Sequence, residues 1–261
     1  METLYVVKIG GNIIDDETKL SAFLADLARI NTKKILVHGG GKLATKLAEQ
    51  LHIPQQIVEG RRITDAETLK IVTMVYAGLI NKNIVAQLQA AGANAVGLSG
   101  ADGNVITAHK RVLKDRDYGF AGDVDSVNAK FLHALLQQGI SPVLSPITHN
   151  GLGQLLNTNA DTIAQETAKA MSAHFTVTLL YSFEKSGVLL DAEDDASVIP
   201  VINPAKYKEL KEKELVFAGM IPKLDNAFSA LNSGVQKVII GKAEDLQALV
   251  NGKSGTAITN E

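Results

Sequence analysis

Twice within the first 51 residues a short apolar strand runs into a cluster of glycines and then into a segment with helical spacing. No other feature of the sequence restricts the possible folds as strongly. Leu4–Ile9 reads as a strand and is followed by Gly10 and Gly11; Leu20, Phe23, Leu24, Leu27 and Ile30 then recur on one helix face. Lys34–His38 is a second strand, followed by Gly39-Gly40-Gly41 and by Leu43, Leu47 and Leu51 at helical spacing. Strand, helix, strand, helix is the order of an α/β chain built on a mainly parallel sheet.

The pattern continues to the C-terminus. Ile57–Ile63, centred on Gly60, reads as a hairpin, and Thr64-Asp65-Ala66-Glu67 has the capping-box spacing that opens a long helix to about Ala91. Ala95–Leu98 is a strand, and residues 100–125, rich in Gly and Asp, hold one or two further hairpins. Val127–Gln138 is a helix ended by Gly139, Ser141–Ser145 and Gly151–Leu156 are strands, and Thr162–Ala170 is an Ala-rich helix. Phe175–Tyr181 and Gly187–Leu190 are strands, and Asn203–Lys213 is a polar helix. A helix with Pro222 in its first turn, a strand at Lys237–Ile240, a helix at Glu244–Val250 and a strand at Thr256–Ile258 complete the chain. The 261 residues allow one large or two modest domains; two lobes would meet near Ala168–His174, without a flexible tether.

Composition removes several function classes. The 26 basic residues are matched by 28 acidic ones, so the strongly basic footprint of a duplex-binding domain is missing and no nucleic-acid partner is expected. The absence of cysteine excludes disulfides, thiolate metal sites and cysteine nucleophiles. No uninterrupted apolar run approaches the ~18 residues of a membrane span, and Met1-Glu2-Thr3 is not a signal-peptide start. A soluble, cytoplasmic protein with no membrane partner is expected.

The common nucleotide signatures fail. There is no GxGxxG, and Gly252-Lys253-Ser254 resembles the end of a P-loop, but Gln247 stands where its first glycine belongs. The histidines (38, 52, 109, 133, 149, 174) have no metal-ligand spacing. What remains is a set of anion sites. Lys8 interrupts an apolar strand just before Gly10-Gly11, and His38-Gly39-Gly40-Gly41 repeats the arrangement one strand later. Two such loops at the carboxyl ends of parallel strands make a crevice where backbone N–H groups can approach an anion. Arg62 in the hairpin can hold a carboxylate by a bidentate contact. In Asn157-Thr158-Asn159-Ala160-Asp161, helix capping accounts comfortably for one polar residue and less well for the other two. Lys223 in a helix's first turn opposes the helix dipole unless an anion lies there. Two such lysines with no nucleophile–base pair point to phosphoryl transfer, and to a carboxylate acceptor, which needs no proton removed at neutral pH.

The segments KIGGN, HGGGK, EGRRIT, LLNTNAD, GMIPK and GKSGTAI together resemble, in order and spacing, the amino-acid kinase family, almost from end to end. The resemblance implies an open three-layer α/β/α sandwich. Residues 1–172 would form an N-terminal lobe for the acylated amino acid and for dimerisation, and residues 173–261 a C-terminal lobe for ATP, with Mg²⁺ on its phosphates. The implied reaction is ATP-dependent phosphorylation of the γ-carboxylate of an N-acylated L-glutamate, a step of arginine biosynthesis. N-acetyl-L-glutamate is the leading substrate and N-succinyl-L-glutamate the alternative; a non-catalytic metabolite or nucleotide sensor of the same fold is the reading from another class.

Carried over residue by residue, Lys8 would stabilise the γ-phosphoryl group in transit, Lys223 the leaving ADP, and Asp161 would orient both lysines. Gly10 and Gly11 would offer N–H groups to the phosphoryl group. Gly40 and Gly41 would contact the acylglutamate, Arg62 its α-carboxylate and Asn157 its amino-acid portion; no side chain is assigned to a metal. After Leu180 the family pattern has Ser or Thr and then Asp, whereas this chain reads Tyr181-Ser182-Phe183-Glu184, so no residue is assigned to adenine or ribose. Arginine-inhibited members carry an extra helix before the first strand, and only seven residues precede Lys8. A homodimer formed through the long helix at 65–91, insensitive to arginine, is therefore expected.

Overall fold

The computed structural model describes residues 1–58, 60–113, 115–191, 193–213, 215 and 220–261, with the backbone alone at Pro222. Glu59 of the hairpin motif and Gly219 at the head of GMIPK lie outside the described residues.

The N-terminal half begins with strand β1 (Thr3–Ile9), the short helix α1 (Gly11–Ile14), α2 (Glu17–Ala28), β2 (Lys33–His38) and α3 (Gly41–Gln50). A hairpin of β3 (Gln56–Val58) and β4 (Arg61–Ile63) leads into α4 (Ala66–Val72), a π-helical segment at Thr73–Ile80 and α5 (Asn81–Ala90). Then come β5 (Ala95–Leu98), the long hairpin β6 (Ile106–Leu113) and β7 (Arg116–Val127), α6 (Ala129–Gln137), β8 (Ser141–Leu144), β9 (Ile147–His149), β10 (Leu155–Thr158) and α7 (Ala160–Met171). The remainder is β11 (Thr176–Phe183), β12 (Val201–Ile202), α8 (Pro204–Glu212), α9 (Ile221–Asn232), β13 (Lys237–Lys242), α10 (Leu246–Val250) and β14 (Thr256–Ile258).

Eight strands form one sheet in the order β12-β14-β13-β11-β1-β2-β8-β5, parallel except at β13–β14. Helices cover both faces, which is why the central strands are apolar on both sides. Leu4 and Val6 pack with Leu132, Ile163 and Leu224 under α6, α7 and α9; Val7 and Ile9 pack with Phe23, Ile84 and Leu246 under α2, α5 and α10. By the same two-residue alternation Lys8 leaves β1 on the α7–α9 side. Strands β6, β7, β9 and β10 close a small barrel beside the sheet.

Several sequence expectations are corrected. Asp65, not Thr64, caps α4: its carboxylate accepts from Thr68 N at 2.7 Å, while Thr64 Oγ1 donates to Arg62 O. The long helix carries a π segment in its middle, a perturbation of backbone bonding that side-chain periodicity does not show. By length and composition alone, Ala66–Ala90 is apolar enough to cross a membrane, which a search for unbroken apolar runs overlooks; its buried face, including Ile71, Val75 and Ile84, packs into the core. In α3 the buried stripe is Ala44 and Ala48, whereas Leu51 is exposed. Gly187–Leu190 is not a strand; a single bridge joins Leu189 to Val198. The strand expected at 151–156 lies instead at Leu155–Thr158, and so carries Asn157 into the barrel wall.

Candidate active site

β1, β2 and β11 run side by side in parallel, with Lys8 level with Val37 and Tyr181. Their carboxyl ends therefore open on one crevice, where the sheet's side chains give way to loops. Lys8 Nζ lies 2.7 Å from Asp161 Oδ1, both side chains only partly exposed. Asp161 is free for this contact because Asn159 performs the capping, accepting from Asp161 N at 2.8 Å and Thr162 N at 3.2 Å. Lys223, in the first turn of α9, lines the same cavity as Lys8, Asp161, Ser182 and Asn226. Its ammonium lies 4.3 Å from the centre of the Phe183 ring. Although the Lys223 side chain is exposed, partial desolvation by the cavity walls and, to a lesser degree, the charge of Lys8 hold its pKa below the ordinary lysine value, against the opposing fields of Asp161 and Glu184.

A second cavity adjoins the first. It is lined by Gly40, Gly41, Arg61, Arg62, Tyr76 and Asn157, and continues to Asn159 and Ala160, the residues next to Asp161. Residues 157–161 thus serve both cavities, and the structure brings together nearly all of the residues selected from the sequence.

Two of them stand differently from their assigned roles. Gly10 N–H donates to Ser182 O at 3.0 Å, so the donors this turn leaves without a partner among the described residues start at Gly11 N–H, in the first turn of α1. Arg62 is 7% exposed, and its guanidinium already donates to Gln55 Oε1, to Gly41 O at 2.8 Å and to Thr45 Oγ1 at 2.9 Å. Both Nη2 hydrogens tie the hairpin to α3 and one Nη1 hydrogen is given to Gln55, which leaves the Nε hydrogen and the other Nη1 hydrogen for a ligand. Asn157 Nδ2 donates to Thr64 Oγ1 at 3.0 Å, and its side-chain carbonyl has no partner among the described residues.

The sequence analysis missed Tyr76, Phe183 and Asn226. Asn226 stands three residues after Lys223, on the same helix face, and that spacing was the available signal. Tyr76 gave none, since only the π segment turns it toward Gly40. Gly40 has φ +141°, and a β-carbon there would fall 2.2 Å from Ile80 Cδ1. A side chain there would have to displace the end of the Ile80 side chain and would be strained at this φ.

His38 ends β2 and is fully buried, as is Asn81. Asn81 Nδ2 donates to Val143 O at 3.0 Å and lies 3.1 Å from His38 Nε2, while His38 Nδ1 is 2.9 Å from Gly39 O. The amide gives its second hydrogen to Nε2, so the imidazole proton resides on Nδ1 and is donated to Gly39 O. Burial, with a smaller contribution from Lys82, pushes the His38 pKa from 6.5 to about 4, against the opposing effect of the Gly39 hydrogen bond. Between those values an unfolded chain takes up a proton that the folded chain refuses, so stability falls as the pH drops from about 6.5 toward about 4. Urea midpoints at pH 7, 6 and 5 should fall more steeply for the natural chain than for His38→Asn, which has no proton to gain. Equal slopes would remove His38 as the cause.

No group of three or more His, Asp or Glu side chains among the described residues could hold a metal ion. Magnesium would arrive on the phosphates of the nucleotide, as part of the substrate.

Comparison with known proteins places this geometry. The amino acid kinase family model matches residues 3–242. The chain belongs to the amino acid kinase family. Acetylglutamate kinase of Phocaeicola vulgatus is 58% identical over 257 residues, 98% of each chain. Acetylglutamate kinase of Cytophaga hutchinsonii is 58% identical over 252 residues, 96% of each chain. Among solved structures, smu.665 from Streptococcus mutans UA159 superposes with a TM-score of 0.78 at 27% identity, covering 99% of both chains. The eight-stranded sheet with helices on both faces is therefore that of the amino acid kinases.

Proposed function

We propose that this amino acid kinase transfers the γ-phosphoryl group of ATP to the γ-carboxylate of N-acetyl-L-glutamate, in arginine biosynthesis. The observation that carries the reading is the Lys8–Asp161 pair sharing a cavity with Lys223, next to the cavity of Arg62, Gly40 and Gly41. Relatives at 58% identity that are acetylglutamate kinases supply the substrate.

The acceptor is already an anion at neutral pH, so the barrier is repulsion between it and the triphosphate. A carboxylate oxygen forms a bond to the γ-phosphorus as the bond to the β,γ-bridging oxygen breaks, and that electron pair leaves on ADP. Lys8 meets the charge on the phosphoryl oxygens, Lys223 that on the departing diphosphate, and Asp161 holds the two ammonium groups against their mutual repulsion. Gly11 N–H adds a donor at the phosphoryl group, with Gly10 forming the turn that presents it. In the adjoining cavity, residues 1–172 hold the acyl amino acid. Gly40, Gly41 and the Asn157 carbonyl line it, and the two remaining Arg62 N–H groups take its α-carboxylate. Residues 173–261 contribute the nucleotide side.

A coupled assay of ADP release with N-acetylglutamate, N-succinylglutamate, glutamate, aspartate and carbamate tests the reading. Turnover fastest with N-acetylglutamate supports it; preference for the succinyl compound would change the acyl group, and no turnover with any acid would favour a sensor. Arg62→Ala should raise the KM for the acyl amino acid at least ~10-fold and leave that for ATP unchanged, because a contact to a non-reacting carboxylate is uniform binding. Arg62→Lys should not rescue it, since one ammonium cannot keep the bonds to Gly41 O, Thr45 Oγ1 and Gln55 and also reach a ligand. A rise in the ATP KM instead would move Arg62 to the nucleotide side.

The chain is also proposed to form a homodimer through the helix at 66–90, on which Met74 and Leu79 are 55% and 64% exposed. Light scattering should give twice the chain mass, and Leu79→Glu should halve it. A monomer in the natural chain sinks this part.

A further inference from the structure

Between the buried end of β2 and the cavity lies one peptide unit whose orientation is set from behind. His38 donates from Nδ1 to the carbonyl of the very next residue, Gly39, at 2.9 Å, and is held on its other side by Asn81 at 3.1 Å. Asn81 is itself anchored to Val143 O at 3.0 Å, and its carbonyl accepts from Lys82 Nζ at 3.1 Å. Gly97 leaves the room for it: a β-carbon there would fall 1.9 Å from Asn81 Oδ1. Asn81 is the first residue after the π segment, so the anchor and the Ile80–Gly40 contact are set by the same stretch of backbone. In a trans peptide the C=O and the following N–H point in opposite directions. With Gly39 O turned inward to the imidazole, Gly40 N–H is turned the other way, and it has no partner among the described residues.

We propose that His38, backed by Asn81, is a positioning residue for substrate binding: by holding the Gly39 carbonyl it keeps Gly40 N–H aimed into the cavity as a donor to the carboxylate or acyl oxygen of the amino-acid substrate. The flexible Gly39-Gly40-Gly41 backbone has no side chain of its own to fix this peptide plane, and a flip would present a carbonyl oxygen to an anionic ligand. The imidazole makes no contact with the substrate. The substrate's identity rests on the function proposed above; the orientation of the peptide does not.

The test compares two variants of the full chain that divide the imidazole between them. His38→Asn keeps an N–H donor near the place of Nδ1 and gives up the Asn81 contact. His38→Gln keeps an acceptor near the place of Nε2 and gives up the hold on Gly39. His38→Gln should raise the KM for N-acetylglutamate ~10-fold, the worth of one hydrogen bond, with the ATP KM within ~2-fold of the natural chain. His38→Asn should melt at a lower temperature yet keep its KM within ~2-fold, as a residue acting through one donor requires. The Gly40 amide resonance should move in His38→Gln and stay in place in His38→Asn. Equal rises of KM in both variants, or a KM that follows the melting temperature, would overturn the proposal. Should His38→Gln not fold, His38→Leu takes its place: it fills the buried site without any donor to Gly39 O, and an unchanged KM and Gly40 resonance there would overturn the proposal equally. If the natural chain itself fails to turn over N-acetylglutamate, the proposed substrate is wrong, and the Gly40 resonance alone decides the role of His38.

Discussion

Alanine at Lys8 or at Lys223 is expected to lower the turnover number at least ~100-fold, the scale of losing one preorganised charge at a transition state. Neither lysine is needed to complete the core, so both variants should fold. Lys8 is partly exposed beside Asp161, and Lys223 lines the same cavity. The substrate KM values should move much less than the turnover number, because the charge each lysine meets develops during transfer. Lys223 also predicts a pH dependence. Its pKa lies below the ordinary lysine value chiefly through partial desolvation by the cavity walls. The free enzyme should therefore lose kcat/KM on the alkaline side at a lower pH than an ordinary lysine would cause, since the charged form is the active one. Lys223→Arg, which stays charged, should move that limb upward even if its rate is low. Turnover of either alanine variant near that of the natural chain would refute the role assigned to that lysine.

The second large effect is at Asp161. Asp161→Asn should reduce turnover ~10-fold or more, because Lys8 loses the carboxylate that holds it and Lys223 the field that favours its charged form. Asp161 raises the Lys223 pKa, so its removal should shift the alkaline limb of kcat/KM to still lower pH. Stability should hardly change. The cap of α7 is Asn159, and Asp161→Asn should shift the melting temperature by less than about 4 °C, the effect of ~1 kcal/mol in a domain of this size. Asn159→Ala, which removes that cap, should lower it by more. The double variant Lys8→Ala with Asp161→Asn should be less than additive, since the two residues act as one pair. Natural kinetics in Asp161→Asn would leave Asp161 as part of a helix start and nothing more.

Much of this site was legible because it is written in short, local signals. A lysine inside an apolar strand, glycines directly after two strands and a lysine in a helix's first turn are each anomalies within a few residues. Each points to an anion independently of what lies across the fold. The strands and most of the helices were legible for the same reason: alternation and helical spacing are properties of contiguous sequence. The Gly187–Leu190 segment, apolar but paired at only one position, shows where this stops, because a strand exists only if a neighbour is there to bond it.

By itself, then, the sequence determined an α/β chain with a parallel sheet, the residues on its anion loops and the family to which they belong. Tertiary structure alone decided how those residues divide the work. Only packing shows that Asn159 caps α7 and so frees Asp161 for Lys8. Only packing shows that Ser182 takes the Gly10 donor, or that three N–H groups of Arg62 are committed to Gly41, Thr45 and Gln55. His38 and Asn81 are 43 residues apart, and nothing in the HGGGK segment or around Asn81 shows that the two meet. Their hydrogen bond exists because β2 and a π-distorted helix meet under one glycine loop. Hydrogen-bond allocation depends on which groups reach one another in three dimensions, and local periodicity carries no record of that.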